Sequence, residues 1–158
     1  MFKIPALSLS LIFLASPILA QSPVELLTSF YETVDGDAPL SEIAAAYAED
    51  FIDHDRSPTA PKALSDKQVV VGPFSELRSG FSDMTHKLDI VDPVGDNSAM
   101  VYWTFSRTHD GTFFAIPPSG KVITLNGVDI MKFKDGKVVE QWHVEELMSM
   151  FQQIGAAQ

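Results

Sequence analysis

The feature that most constrains the fold is a pair of long β-rich segments near the end of the chain. Residues 121–133 and 137–144 are rich in β-branched and aromatic side chains, and only Lys134-Asp135-Gly136 separates them. An Asp-Gly pair between two such runs is a strong local signal for a β-hairpin. A lone hairpin is marginally stable in water, so further elements must cover its apolar face.

The segments before the hairpin predict an α+β order of elements. Apolar residues at spacings of three and four predict helices over residues 23–34, with Ser22 as the N-cap, and from Pro39 through Phe51. A third helix is expected to begin at Pro73, because proline is favoured in a first helical turn. Four strands and a short C-terminal helix follow, at residues 85–91, 98–107, 121–133, 137–144 and 145–154. Helices followed by an antiparallel meander define the α+β class.

Charge and cysteine content exclude several classes of function. The chain has 158 residues with 21 acidic and 11 basic side chains, which gives a formal net charge of −10. Such a surface repels phosphate backbones, so no nucleic acid partner is expected. The chain has no cysteine. This excludes a thiol nucleophile, a lipoprotein anchor and any cysteine-based metal centre.

The first twenty residues read as a secretory signal peptide. Lys3 precedes the apolar run of residues 4–14, and the segment ends on Ala20. That run is shorter than the roughly 20 residues that a membrane span needs, so no stable span is expected. An uncleaved anchor is the alternative. Residues 21–158 are then a single domain, in a protein expected to be periplasmic or secreted.

Six short motifs occur in order toward the end of the chain. They are His-x-Gly-x-Phe at 109–113, Ile-Pro-Pro-x-Gly at 116–120, Gly-x-Asp-Ile at 127–130, Asp-Gly-Lys at 135–137, Glu-x-Trp at 140–142 and Gln-Gln-x-Gly at 152–155. In this order they resemble the SnoaL-like polyketide cyclase (ester cyclase) family of the nuclear transport factor two-like superfamily. The resemblance implies a cone-shaped α+β barrel. Three N-terminal helices would pack on a curved, mostly antiparallel sheet, and a short C-terminal helix would end the domain.

The same resemblance implies roles for individual residues. In the family's polyketide cyclases the position of His143 holds the acid/base aspartate, and the position of Asp129 holds a histidine. Here the two residue types are exchanged, so His143 and Asp129 are the predicted catalytic pair. The predicted contacts to substrate are His109, Gln141, His54, Trp103, Phe113 and Met131. For His109 the alternative is a structural bond at the Pro-Pro corner of residues 117–118.

The hairpin register decides whether this pair can meet. A two-residue Asp135-Gly136 turn would pair Lys134 with Lys137, whereas a three-residue loop would pair Phe133 with Lys137. We favour the three-residue loop, because it places Asp129 on the same face as Gln141 and His143, as the family's pocket requires.

The ligand implied by the resemblance is a small apolar or aromatic carbonyl compound, bound without a cofactor. The four histidines lack the short spacings of metal ligands, so no metal site is predicted, and His86 is expected at the surface. The chain would be a cofactor-independent cyclase, isomerase or hydratase/lyase that uses His/Asp acid–base chemistry. The alternative is a small-ligand-binding module of the same fold without catalysis, which the predicted export favours.

A third reading concerns the opposite face of the sheet. Val128, Ile130, Val138 and Trp142 would make that face apolar, and an exposed apolar face commonly marks an interface. A homodimer formed through this face is therefore a further expectation.

The signal peptide gives a first test. We expect cleavage after Ala20, because a basic start, a short apolar run and a small residue are the pattern that signal peptidase reads. Intact mass spectrometry of the exported protein should show a chain that starts at Gln21. Recovery of the full-length chain from the membrane fraction would contradict the prediction.

Overall fold

A computed structural model describes residues 21–157, and the predicted signal peptide lies outside the described residues. The elements are α1 (Pro23–Asp35), α2 (Leu40–Ala46), β1 (Tyr47–Asp53), α3 (Asp66–Gly80), β2 (His86–Val94), β3 (Ser98–Thr108), β4 (Val122–Lys134), β5 (Lys137–Glu145) and α4 (Leu147–Ile154). Among the described residues, no helix is long and apolar enough to cross a bilayer.

The five strands form one curved sheet in the order β1-β5-β4-β3-β2. The pairs β2–β3, β3–β4 and β4–β5 are antiparallel, and β1 adds to β5 in parallel. The helices pack against the sheet, and the core lies between α1, α3 and the alternate inward-facing residues of β3 and β4. This arrangement confirms the predicted α+β class, with a sheet that curves without closing in the described part of the chain.

The second predicted helix is wrong beyond its first two turns. Helix α2 ends at Ala46, and Tyr47 starts strand β1. Tyr47 and Phe51 are both buried, and their spacing of four led to the helical prediction. Four is an even spacing, so both aromatic rings also lie on one face of a strand and reach the core. The chain extends here because β1 satisfies the free backbone edge of β5.

The third helix begins earlier than predicted. Ser65 caps α3 in a reciprocal pair with Gln68, in which each side chain accepts from the other's backbone N–H. This Ser-x-x-Gln capping box is visible in the sequence and outweighs the preference of Pro73 for a first turn. Pro73 therefore lies inside the helix.

The hairpin uses the turn that we did not favour. Asp135 and Gly136 both have positive φ, 52° and 74°, as a two-residue turn of type I′ requires. Lys134 therefore pairs with Lys137, and the predicted three-residue loop is wrong. A register shift between Lys132 and Phe133 then corrects the alternation.

The shift leaves one extra residue, Val139, on β5. Phe133 pairs with Val138, whereas Lys132 pairs with Glu140. Beyond this bulge Asp129 lies directly opposite His143, as the proposed site needs. Val138 points into the core because it precedes the bulge, so it does not belong to the predicted outer apolar face. On that face Trp142 is 37% exposed.

A close contact between β3 and β4 gives a test of the packing. Gly127 lies opposite Trp103, and a Cβ at this position would lie 2.1 Å from the indole Cζ2. Because the indole is buried, we expect Gly127→Ala to destabilise the fold by about 1–3 kcal/mol through overpacking. Urea midpoints measure the effect.

The matched control for that prediction is Gly72→Ala in helix α3, where an added Cβ meets nothing within 4 Å. There the helix propensity of alanine and the restriction before Pro73 act in opposite directions, so the change should shift the midpoint less than Gly127→Ala does. Equal midpoints for the two variants would contradict the close contact.

Candidate functional site

A cavity of about 530 Å³ opens between helices α1 and α3 and the inner face of the sheet. This volume lies in the range of small-molecule sites. Its apolar walls come from Phe30, Val69, Val70, Phe74, Leu77, Trp103, Met131 and Leu147. Its polar lining comes from Tyr31, Asp53, Asp55, His86, Asp129, Gln141, His143 and Glu145. An apolar chamber with a few convergent polar groups suits a small, mostly apolar ligand.

A buried carboxylate lies at the centre of the polar lining. Asp129 is 2% exposed, and three side chains donate hydrogen bonds to it. Tyr31 Oη and Trp103 Nε1 (2.7 Å) both bond Oδ2, and His143 Nδ1 bonds Oδ1 at 2.6 Å. Burial alone raises the pKa of Asp129, but these bonds outweigh burial and hold the pKa below its ordinary value of 3.8. Asp129 is therefore ionised at neutral pH.

The imidazole of His143 forms the other half of this pair. Burial lowers the pKa of His143, but the bond to Asp129 and the nearby Glu145 carboxylate outweigh burial and raise the pKa to about 10. At neutral pH the ring is therefore an imidazolium. Its Nε2 lies 3.7 Å from Glu145 Oε2, which is longer than a hydrogen bond. Among the described residues the Nε2–H group therefore makes no direct hydrogen bond and has Glu145 as an ion-pair partner, so a ligand oxygen in the cavity can accept from it.

Strand register places these groups together. Asp129 on β4 and His143 on β5 are direct cross-strand neighbours. Trp103 on β3 lies opposite Gly127, and the missing side chain there leaves space for the indole beside Asp129. Tyr31 reaches the same carboxylate from helix α1. Four elements thus converge on one side chain.

The structure brings three of the predicted substrate contacts to the cavity, namely Trp103, Met131 and Gln141. Gln141 is buried, and its Oε1 accepts a hydrogen bond of 3.3 Å from Tyr47 Oη. That bond fixes the amide, so its NH₂ group remains as a donor toward the chamber.

The other three predicted contacts do not line the cavity. His109 is fully buried beside Phe81, and its Nδ1 accepts from the Ser119 N–H at 3.2 Å, which is the structural alternative at the Pro-Pro corner. Phe113 packs in the core against Phe81. His54 stacks on Trp142 at 4.2 Å on the outer face. In this structure His109, Phe113 and His54 therefore lie outside the lining of the cavity.

Sequence reasoning missed two residues of the site. His86 was expected at the surface, but its side chain is 7% exposed, lines the cavity and bonds Asp35. Tyr31 lies on the apolar side of the first helix, and its spacing there does not reveal that its hydroxyl meets Asp129. Both contacts join residues far apart in sequence. Within residues 21–157, no cluster of three or more His, Cys, Asp or Glu side chains is arranged to hold a metal ion.

The coupling of the central pair can be measured. In Asp129→Asn the imidazole loses its carboxylate, so we expect the pKa of His143 to fall from about 10 toward or below its ordinary value of 6.5. NMR titration of the ring protons in wild type and variant gives both values. An identical titration in the two proteins would show that the residues are not coupled.

Comparison with known proteins agrees with this architecture. The solved structures that superpose include IdmH of Streptomyces antibioticus, for which polyketide cyclase activity is proposed (22% identity, 85% of this chain and 99% of that chain, TM-score 0.69). AclR of Streptomyces galilaeus, for which hydroxylase activity is proposed, has 21% identity over 84% of each chain and a TM-score of 0.69. A SnoaL-like polyketide cyclase from Agrobacterium tumefaciens has 12% identity over 86% of this chain and 100% of that chain, with a TM-score of 0.65.

At these identities the superpositions establish the fold. No curated protein sequence matches the chain at a significant level. The sequence model of the SnoaL-like polyketide cyclase family matches residues 25–154, which is most of the chain. The protein therefore belongs to the SnoaL-like polyketide cyclase family.

Proposed function

We propose that the protein is a cofactor-independent cyclase or isomerase that acts on a small apolar or aromatic carbonyl compound. The observation that carries this proposal is the His143 imidazolium, held on the buried Asp129 carboxylate at the wall of an apolar chamber. A protonated donor in such a site is suited to bind a carbonyl oxygen and to stabilise the charge that develops on it.

The two N–H groups of the His143 ring differ in their partners, and this decides which of them can act on the substrate. Nδ1–H of His143 is committed to Asp129, so Nε2–H is the group that meets the substrate oxygen. When a proton leaves the carbon beside the carbonyl, the oxygen gains negative charge and the imidazolium hydrogen bond strengthens. General acid catalysis of this kind contributes about 10²–10⁴-fold. Asp129 does not accept a proton from the substrate, because its oxygens already accept three hydrogen bonds. Its role is to orient the His143 ring and to keep that ring protonated.

The site, more than the fold, supports this choice. Cyclase and hydroxylase activities are both proposed among proteins that share the fold, so the fold alone does not fix the reaction. The apolar walls favour a flat or conjugated ligand, which aromatic and methionine side chains bind well. The NH₂ group of Gln141 supplies a second donor for a ligand oxygen.

The alternative proposal is a binding module that holds such a ligand without converting it. The predicted signal peptide favours this reading, because an exported protein meets few of the intermediates of cytoplasmic synthesis. Periplasmic or secreted location is itself part of the proposal and rests on Lys3, the apolar run of residues 4–14 and Ala20.

Hydrogen exchange separates the two proposals without knowledge of the natural substrate. The probe is 1-tetralone, a flat aromatic ketone, and the measurement is loss of its α-proton signals in D₂O by NMR. We expect the wild type to accelerate exchange and His143→Gln to lose about 10²-fold or more of that acceleration. The acceleration should also decline as the pH rises through about 10, because the imidazolium is then lost.

The matched control is His54→Gln, which removes a histidine on the outer face and should leave exchange unchanged. Binding of 1-tetralone without accelerated exchange would favour the binding module. Equal exchange by wild type and His143→Gln would contradict the assigned donor.

A further inference from the structure

A second histidine–carboxylate pair faces the same cavity. His86, at the start of β2, places Nδ1 2.6 Å from Asp35 Oδ1 at the end of helix α1. Asp35 Oδ2 also accepts the backbone N–H of His86 at 2.7 Å. The carboxylate thus holds both the backbone and the ring. In the neutral imidazole this contact keeps the proton on Nδ1 and leaves the lone pair on Nε2.

The packing of the ring leaves Nε2 for the cavity. Tyr31 and Trp103 contact the His86 ring edge to face, with centroid distances of 5.2 and 4.9 Å. These neighbours fix the ring, which lines the cavity. Within the part of the chain that the structure describes, Nε2 has no hydrogen-bond partner and is not among the enclosed unpartnered atoms. It is therefore accessible to a ligand.

Both histidines pack against one indole. The ring of His143 is nearly parallel to Trp103, at 18° and 6.3 Å, whereas the ring of His86 is nearly perpendicular, at 82° and 4.9 Å. Both rings also line the cavity, so one ligand bound against the indole can contact both imidazoles. His143 presents its Nε2–H to the ligand, and neutral His86 presents the lone pair of its Nε2.

Removal of a proton beside a carbonyl needs a base as well as an acid. His143 is protonated, and the oxygens of Asp129 already accept three hydrogen bonds. Burial and the Asp129 carboxylate raise the pKa of Tyr31 well above its ordinary value, so its hydroxyl stays a donor. None of these three side chains is suited to accept a proton.

Three further carboxylates line the cavity, and all lie on the His143 side. Glu145 is 3.7 Å from His143 Nε2, and Asp55 accepts the backbone N–H of His143 at 2.7 Å. Asp53 in turn accepts the N–H of Asp55 at 3.0 Å. These carboxylates therefore cluster around the group that would bind the carbonyl oxygen, whereas the hydrogen-bond partner of His86 is Asp35 of helix α1.

We propose that His86 is the catalytic base of this site and that the substrate is a carbonyl compound with a hydrogen on the adjacent carbon. This inference rests on the proposed function and adds the missing half of its chemistry. His86 Nε2 takes the proton from that carbon, the C–H electron pair forms the carbon–carbon double bond, and the carbonyl π pair moves to the oxygen. His143 Nε2–H stabilises this oxygen. Asp35 neutralises the imidazolium that forms on His86.

Asp35 also connects the pair to the outside. It lines a second crevice of about 280 Å³, together with Gly36, Asp37, Arg78, Phe81, Ser82 and Met84. This crevice is distinct from the main cavity, so the Asp35–His86 pair gives the abstracted proton an exit that does not pass the ligand.

The test uses the same 1-tetralone exchange in D₂O. We expect His86→Gln to lose about 10²-fold or more of the acceleration, with the dissociation constant of 1-tetralone changed by less than about twofold. Asp35→Asn should reduce exchange by a smaller factor, because the ring stays while its orientation and charge partner are lost. His54→Gln on the outer face is the control that should leave exchange intact.

The outcomes separate this inference from the function on which it rests. If wild type does not accelerate exchange, both are contradicted. If wild type and His86→Gln exchange equally while His143→Gln is slow, only the assignment of the base is overturned. Loss of exchange in Glu145→Gln but not in His86→Gln would assign the base to Glu145.

A measurement on the unmodified protein covers the case in which the variants fail to fold. Long-range ¹H–¹⁵N spectra report which imidazole nitrogen carries the proton. At a pH where His86 is neutral, we expect the proton on Nδ1 and a shift of the Nε2 resonance when 1-tetralone is added. A proton on Nε2, or an Nε2 signal that ignores the ligand, would overturn the proposal.

Discussion

The site depends on one buried charge. The Asp129 carboxylate lies in an apolar interior, where an unpaired ion is very costly, and it persists because Tyr31, Trp103 and His143 all donate to it. These donors come from α1, β3 and β5, so the charge also joins the helical layer to three strands of the sheet. Polar groups that are fully satisfied in this way favour a single arrangement of their surroundings. The same contacts that make the site chemically competent therefore also define the packing around it.

The exchange of residue types that the family resemblance implies changes which group carries the proton. By that resemblance the position of His143 holds an aspartate in the family's cyclases, whereas here it is an imidazole whose partner is the buried Asp129. An acid/base carboxylate at the cavity wall is replaced by a cation. The pair thus remains, but at neutral pH it presents a donor. The proposed proton abstraction then requires a separate acceptor, which is the role that we propose for His86.

The sequence predicted the fold class, the capped first helix, the hairpin strands and the contact between Asp129 and His143, but it predicted that contact from a hairpin register that is wrong. The prediction from sequence failed where one residue pattern fits two kinds of local structure. A spacing of four between Tyr47 and Phe51 fits one face of a helix, and because four is even it also fits one face of a strand. Pairing with the free edge of β5 selects the strand. His86 looked unremarkable because its partner Asp35 is 51 residues away. His109 matched a family motif, but the sequence did not show whether its ring faced the chamber or Ser119.

The extra residue Val139 has a consequence for how this sheet can vary. Strand side chains alternate with a period of two, so one inserted residue inverts the faces of everything beyond it. The tight Asp135-Gly136 turn by itself would send Gln141 and His143 outward, and Val139 inverts them back. The length of the turn and the presence of the bulge therefore together decide which face of the sheet each side chain of β5 takes. A homologue that gains a residue in the turn must lose the bulge to keep its inward-facing groups. A change to the turn alone, or to the bulge alone, would move the cavity-facing side chains of β5 to the outer face of the sheet.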